Sequence, residues 1–130
     1  LRLPVVHGAA GEALAAEVTR RRPRVVLLTG LAAGGALRLE ALARPGPVAP
    51  ARGAPRRARW DLAAALGAMR GAGLPARLSG DAGGYVCDTT FWMALGLDVP
   101  RVAFLHVPPL GGAWTPRRIA RAMDRALAGA

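Results

Sequence analysis

A cysteine and a histidine stand where nucleophilic chemistry could take place. Cys87 is the only cysteine of the chain and follows a glycine-rich turn, just inside the start of a predicted helix. The positive end of a helix dipole favours the thiolate form of such a side chain. His106 lies near the C-terminal end of a predicted buried strand, where parallel sheets bind their ligands. If the two side chains meet, the imidazole can accept the thiol proton and later return it to a leaving amine, as in a cysteine peptidase.

A third group would have to hold the imidazole ring in one tautomer. Glu40 is the best candidate because it lies on a short apolar strand after the glycine-rich turn of residues 30–35. The other acidic residues are predicted on exposed helix faces or at helix ends. Two structural interpretations stay open: Cys87 can be a small residue packed inside a helix, and His106 can be a core histidine with satisfied hydrogen bonds.

The elements that must position these residues alternate between helices and strands. Helices are predicted over residues 9–21, 60–73 and 85–96 and from Thr115 onwards, strands over 24–30, 36–43, 76–79 and 101–107, and a proline- and arginine-rich loop over 44–57. Strands separated by helices require crossover connections, which give a mostly parallel sheet between two helical layers. The pattern therefore predicts a three-layer α/β/α fold, with residues 1–130 forming a single domain.

The composition is that of a globular protein with an excess of arginine. The 130 residues are 52% apolar and 20% charged, and all 18 basic residues are arginine, which gives a net charge of +10. The basic clusters, residues 20–24 and 52–59, are not interleaved with aromatic residues that could stack on bases. We therefore expect solvated charge and no nucleic-acid partner, although an arginine-rich nucleic-acid binder stays open as an alternative. Uncharged stretches fall short of the ~20 residues that span a bilayer, so we expect no membrane partner and a cytoplasmic protein.

The segment around the cysteine resembles a known peptidase motif. In the pyroglutamyl peptidase (pyrrolidone-carboxylate peptidase) family of cysteine peptidases, the nucleophile lies in S-x-x-A-G-x-Y-x-C-N-x-x-x-Y. This chain has Ser79, Ala82, Gly83, Tyr85 and Cys87 in the corresponding places, so five of the seven fixed positions match. The resemblance extends over about residues 3–110 and is strongest over 75–109.

Two further motifs of that family have counterparts in the chain. The family's histidine lies in F-x-H-x-P, which here reads Phe104, Leu105, His106, Val107, Pro108. Its glutamate follows a glycine-rich turn and opens E-R-x-A-x-N, which here corresponds to the turn of residues 30–35 and then Glu40. The resemblance thus reaches all three residues that the spacing had singled out.

The resemblance implies a reaction and a role for each residue. Cys87 would be the nucleophile, His106 the general base and acid, and Glu40 the group that orients the imidazole. Backbone N–H groups of Cys87 and of the Gly34-Gly35 turn would hold the oxyanion. The substrate would be a peptide with an N-terminal pyroglutamyl residue, and no cofactor or metal would take part. A homo-oligomer stays open, and so does an inactive relative that acts as a binding or interaction protein.

The chain also departs from the family pattern. The family's N-terminal segment, which carries the first strand and an aromatic wall of the substrate slot, has no counterpart, so we expect an uncovered sheet edge or face. Asp88 replaces the asparagine that follows the nucleophile, and Trp92 replaces a tyrosine. Asp88 would place a negative charge beside the proposed thiolate.

Overall fold

The chain folds into a sheet that is covered by helices. The structure is a computed structural model and describes residues 1–48 and 53–130. Its helices in these ranges are Ala9–Arg21 (α1), Leu62–Gly71 (α2), Val86–Leu95 (α3) and Pro116–Ala126 (α4), with 3₁₀ turns at Gly46–Val48 and Leu127–Gly129. Its strands are Val25–Leu31 (β1), Leu37–Glu40 (β2), Leu42–Ala43 (β3), Arg56–Arg57 (β4), Ala76–Ser79 (β5) and Arg101–Val107 (β6). None of the described helices has the length and apolar character needed to cross a membrane.

The strand order brings separate parts of the sequence side by side. Four of the described strands form one sheet in the order β1-β6-β2-β5. β1 pairs with β6 and β2 pairs with β5 in parallel, whereas β2 runs antiparallel to β6. The predicted mostly parallel sheet is therefore confirmed. The antiparallel pairing also places the beginning of β2 beside the C-terminal end of β6, where His106 lies.

Each face of the sheet has its own hydrophobic core. On one face, Leu39 and Leu105 pack among buried residues that include those of α2 and α4. On the other face, Phe104 packs in a second cluster with buried residues of α1 and α3. Successive strand residues point to opposite faces, so His106 shares the face of Phe104 and lies under α3. The predicted three-layer α/β/α architecture is thus confirmed.

Three predicted segments need correction. The strand expected over residues 36–43 is interrupted at Ala41, whose N–H donates to Ser79 O over 2.8 Å and whose carbonyl accepts from Ala58 N over 3.0 Å. The loop expected over 44–57 contains strand β4, and its residues 49–52 lie outside the described part of the chain. The helix expected over 60–73 is the shorter α2, because Asp61 Oδ1 accepts from Ala64 N over 3.0 Å and caps its start.

Arginines in both basic clusters contact other groups of the protein. Arg20 and Arg21 pair with Glu17 on α1. Arg56 stacks over the Trp92 ring, 3.5 Å from its centroid. Arg59 donates hydrogen bonds of 2.6 to 3.1 Å to three backbone carbonyls at and beyond the C-terminal end of α3. In the described residues, part of the arginine excess is therefore used in structural contacts.

Candidate active site

Strands β6 and β2 place a buried histidine against a buried glutamate. His106 Nδ1 and Glu40 Oε1 lie 2.8 Å apart, and the two residues are 3% and 0% exposed. They are not directly paired in the sheet, since the register puts Arg38 opposite His106 and Glu40 opposite Phe104. The contact is therefore diagonal across two neighbouring strands, a separation that long side chains can bridge.

This contact assigns the two ring nitrogens of His106 to different partners. A carboxylate only accepts hydrogen bonds, so the proton on Nδ1 is directed to Glu40. Nε2 is then the nitrogen left to exchange a proton with a second group. The ring also lies against Phe104, with centroids 4.7 Å apart, which limits its rotation.

Cys87 approaches the same histidine from helix α3. It is the second residue of that helix, and the turn before it uses left-handed backbone at Gly83 (φ 100°) and Gly84 (φ 70°), which glycine adopts without steric cost. Residues at this position have backbone N–H groups without partners in the helix. The thiol is free and partly exposed, and it lies close enough to His106 to raise the pKa of the imidazole.

The environment of His106 favours its charged form. Burial opposes protonation of the ring, but the hydrogen bonds to Cys87 and Glu40 and the negative charges of both groups outweigh it and raise the pKa of His106 to about 9. The site therefore favours the imidazolium form of His106 beside the Cys87 sulfur at neutral pH. Such a pair can attack a carbonyl carbon and protonate a leaving group without a further base.

The side chain of Asp88 holds the turn before α3 in place. Its side chain is buried, Oδ1 accepts from Arg44 N over 2.6 Å and Oδ2 accepts from Gly84 N over 3.2 Å. From the sequence, this residue is predicted only to place a negative charge beside the proposed nucleophile. The structure adds that its carboxylate joins the turn before α3 to the chain that leaves β3.

A small apolar pocket opens beside the thiol. It measures about 140 Å³ and is lined by Cys87, by Leu28, Thr29 and Gly30 of β1, and by Phe104 of β6. The segment of residues 3–5 closes another side of it. We call this cavity the acyl pocket. Its lining contains no ionisable side chain apart from the thiol, so it suits a small uncharged group.

Gly30 belongs to the site, although the sequence analysis did not single it out as a functional residue. A Cβ atom at this position would lie 3.0 Å from Cys87 Sγ and 3.1 Å from Phe104 Cζ. A side chain at this position would therefore force the thiol or the Phe104 ring to shift, and glycine allows the thiol to approach the sheet this closely. A glycine at the end of an apolar strand that contains β-branched residues is the sequence signal that could have indicated such an approach.

The Gly34-Gly35 turn lies apart from the acyl pocket. Both glycines are exposed, Gly34 has φ 114°, and neither lines that pocket. Their predicted role as oxyanion donors stays a prediction. In the described ranges, the active site included, no group of three or more histidine, cysteine or acidic side chains could hold a metal ion.

Known proteins with the same sequence pattern and fold are peptidases. No protein-family model matches the chain. The chain is 34% identical to the pyrrolidone-carboxylate peptidase of Gloeobacter violaceus, over 84% of this chain and 63% of that protein. It is 36% identical to that of Deinococcus radiodurans, over 82% of this chain and 59% of that protein.

A solved structure extends this similarity to the fold. The crystal structure of pyrrolidone carboxyl peptidase from Thermus thermophilus superimposes with a TM-score of 0.85 at 32% identity, over 98% of this chain and 80% of that one. The chain belongs to the pyrrolidone-carboxylate peptidase family. The predicted family membership and fold are thus confirmed. This family member spans about three fifths of the length of the two curated relatives.

Proposed function

We propose that the chain is a cysteine peptidase that removes N-terminal pyroglutamyl residues from peptides. Cys87 is the nucleophile, His106 is the general acid and base, and Glu40 orients the imidazole. The observation that carries this proposal is the arrangement of three side chains beside an apolar pocket: Cys87 lines the pocket and lies close to His106, and His106 Nδ1 is bonded to Glu40. Membership in the pyrrolidone-carboxylate peptidase family supports the substrate class.

The acyl pocket accounts for recognition of the pyroglutamyl group. The group is a five-membered lactam without a free amine, so an anionic subsite for an N-terminus would serve no purpose. About 140 Å³ of apolar space suits a small uncharged ring. β1 lies at one edge of the described sheet, and its free backbone groups can bond the lactam N–H and C=O.

The acylation step uses the thiolate and the imidazolium together. Cys87 Sγ attacks the carbonyl carbon of the pyroglutamyl residue and forms a C–S bond, and the carbonyl oxygen takes the negative charge. The backbone N–H of Cys87 and the Gly34-Gly35 turn are the proposed donors to that oxyanion. His106 then gives its Nε2 proton to the peptide nitrogen, the C–N bond breaks, and the shortened peptide leaves as an amine.

The deacylation step reverses these roles. Neutral His106 accepts a proton from water, which attacks the thioester carbon. The C–S bond breaks, pyroglutamate is released, and the thiolate and imidazolium are restored. Glu40 bonds Nδ1 throughout and stabilises the imidazolium without taking the proton itself.

A steady-state assay with a pyroglutamyl arylamide tests the proposal. We expect the parent chain to release the arylamine and the Cys87→Ser variant to lose this activity while its circular dichroism spectrum is unchanged, because a serine hydroxyl is not ionised by His106. Equal turnover by the two proteins would contradict the role of Cys87. Absence of turnover by a folded parent chain would contradict the proposed function as a whole.

A further inference from the structure

A second cavity lies on the other side of the histidine from the acyl pocket. It measures about 480 Å³, is open to solvent and is lined by Arg38 of β2, by Arg77 and Ser79 of β5, and by Asp81 and Gly83 of the segment that leads to α3. We call it the arginine cavity. The catalytic steps described above use none of its side chains.

The sheet register aligns this cavity with the catalytic histidine. Arg38 is the register partner of His106 in β6 and of Arg77 in β5. Register partners in neighbouring strands point to the same face, so the three side chains form a row on one face of the sheet. Strands lie ~4.8 Å apart, so the row extends ~10 Å from β6 to β5.

The strand order gives the direction in which a substrate must lie. The acyl pocket is on the β1 side of Cys87, and β6, β2 and β5 follow in that order across the sheet. A pyroglutamyl ring bound over β1 places the scissile bond at Cys87 and its nitrogen at His106. The residue after the scissile bond then continues over β2 and β5, towards the arginine cavity.

The protein groups around the cavity balance its positive charges only in part: Arg38 forms an ion pair with Glu40, and Asp81 is paired with Arg44. Arg38 Nε lies 3.7 Å from Glu40 Oε1, too far for a hydrogen bond, and has no other partner in the described residues. Like charges at paired positions of neighbouring strands repel each other, as do Arg38 and Arg77. The acidic group of the cavity, Asp81, already bonds Arg44 Nη1 over 3.1 Å and Gly83 N over 2.9 Å.

From this arrangement we infer that the arginine cavity is a subsite for the leaving part of the substrate and that it binds a carboxylate. The carboxylate can be the side chain of an acidic second residue or the C-terminal carboxylate of a pyroglutamyl dipeptide. Arg38 and Arg77 would bind it from neighbouring strands, with charge-assisted hydrogen bonds that also relieve their mutual repulsion. This inference rests on the proposed peptidase function and adds a substrate preference to it.

Two matched substrate pairs distinguish the sources of the carboxylate. The first pair is pyroglutamyl-glutamate amide against pyroglutamyl-glutamine amide, which differ in a side-chain charge. The second is pyroglutamyl-alanine against its amide, which differ in the terminal charge. We expect the carboxylate-bearing member of at least one pair to have a kcat/KM about fivefold higher at low salt, and the difference to shrink in 0.5 M salt.

Variants of the two arginines test whether this preference arises in the cavity. Arg77→Gln and Arg38→Gln should each reduce the ratio of kcat/KM within the preferred pair to near one. Arg101→Gln is the matched control, because Arg101 is exposed at the opposite end of β6 and should leave both the ratio and the turnover unchanged.

The uncharged pyroglutamyl arylamide separates the two hypotheses. If the parent cleaves it but shows no preference in either pair, or if both arginine variants keep the preference, the subsite inference is overturned and the peptidase function stands. If the folded parent does not cleave the arylamide at all, the proposed function fails and the inference fails with it.

Discussion

Cys87 Sγ occupies the space into which a side chain at Gly30 would project, and a Cβ there would stand only 3.0 Å from the sulfur. The nucleophile proposed on α3 thus depends on the absence of a side chain on β1. The same glycine opens the acyl pocket, so thiol position and pocket volume are linked at one residue.

The Gly30→Ala variant tests this link. The new methyl group would contact both Cys87 Sγ and Phe104, and it would displace the thiol and narrow the acyl pocket. We expect kcat/KM for the pyroglutamyl arylamide to fall by about tenfold or more, because a small misplacement of a nucleophile is costly. Gly67→Ala is the control: nothing lies within 4 Å of that Cβ in α2, and alanine should stabilise the helix by about 0.5–1 kcal/mol. Unchanged turnover in Gly30→Ala would refute the close approach.

Glu40→Gln should change the pH dependence of the reaction. Glu40 helps to raise the pKa of His106 to about 9, so its loss lowers that pKa and the imidazolium is lost at lower pH. We expect the basic limb of the kcat/KM profile to move from near 9 towards neutral pH, with a loss of at least about tenfold at the optimum. Asp124→Asn, on an exposed position of α4, should leave the profile unchanged. A basic limb that stays in place would contradict the role of Glu40.

The raised pKa of His106 also stabilises the folded chain, and this stabilisation is larger at low pH than at high pH. His106 binds its proton more tightly in the folded chain than in the unfolded one, whose pKa is near 6.5. This contribution is fully present below pH 6.5 and is lost as pH rises through about 9. The difference in unfolding free energy between the parent and Glu40→Gln, measured with urea, should therefore be larger at pH 6 than at pH 10. A difference that grows with pH would contradict the assignment.

Asp88 should matter for the fold more than its neighbouring acidic residues. Asp88→Ala removes the acceptor of two backbone N–H groups, from Gly84 and Arg44, and we expect a loss of about 2 to 4 kcal/mol in unfolding free energy. Asp88→Asn keeps an acceptor oxygen and should lose less. Asp98→Ala, at an exposed position, should stay within about 0.5 kcal/mol of the parent. Equal stability of Asp88→Ala and the parent would show that the two bonds do not hold the turn.

Arg59 should stabilise the C-terminal end of α3. Its guanidinium donates to the carbonyls of Leu95, Leu97 and Val99 at and beyond the end of the helix, and of these three the Leu97 carbonyl also accepts from Val99 N. Arg59→Ala should cost about 2 to 3 kcal/mol, whereas Arg57→Ala, at an exposed position of β4, should cost less than about 0.5 kcal/mol. Denaturant titrations of both variants check this, and similar losses in the two would contradict it.

Local sequence signals predicted the elements well where one residue type sets an element's boundary. Thr115 followed by Pro116 predicted the start of α4, and Thr115 Oγ1 does accept from Arg118 N over 3.2 Å. The apolar run that ends before Pro108 predicted β6. The interruption at Ala41 was not predictable, because it depends on hydrogen bonds to Ser79 and Ala58, which are distant in sequence.

The residue types of the site were predictable from the sequence. The strand register that brings these residues together was not. The position of Cys87 after two glycines and that of His106 at a strand end were visible in the sequence. That Glu40 contacts His106 depends on an antiparallel β2–β6 pairing across 66 residues of sequence, which no local pattern sets. The row from His106 to Arg38 and Arg77 depends on the same register, so the arginine cavity could be found only in the structure.

The proposal that Cys87 is acylated by a pyroglutamyl group is tested most directly by trapping the thioester. The parent chain is mixed with excess pyroglutamyl arylamide and quenched in acid within milliseconds to seconds, and its intact mass and peptide map are measured. We predict a transient mass increase of one pyroglutamyl group, located on the peptide that contains Cys87 and absent in Cys87→Ser. Arylamine release without any adduct on Cys87, or an adduct that persists in Cys87→Ser, would contradict the proposed chemistry.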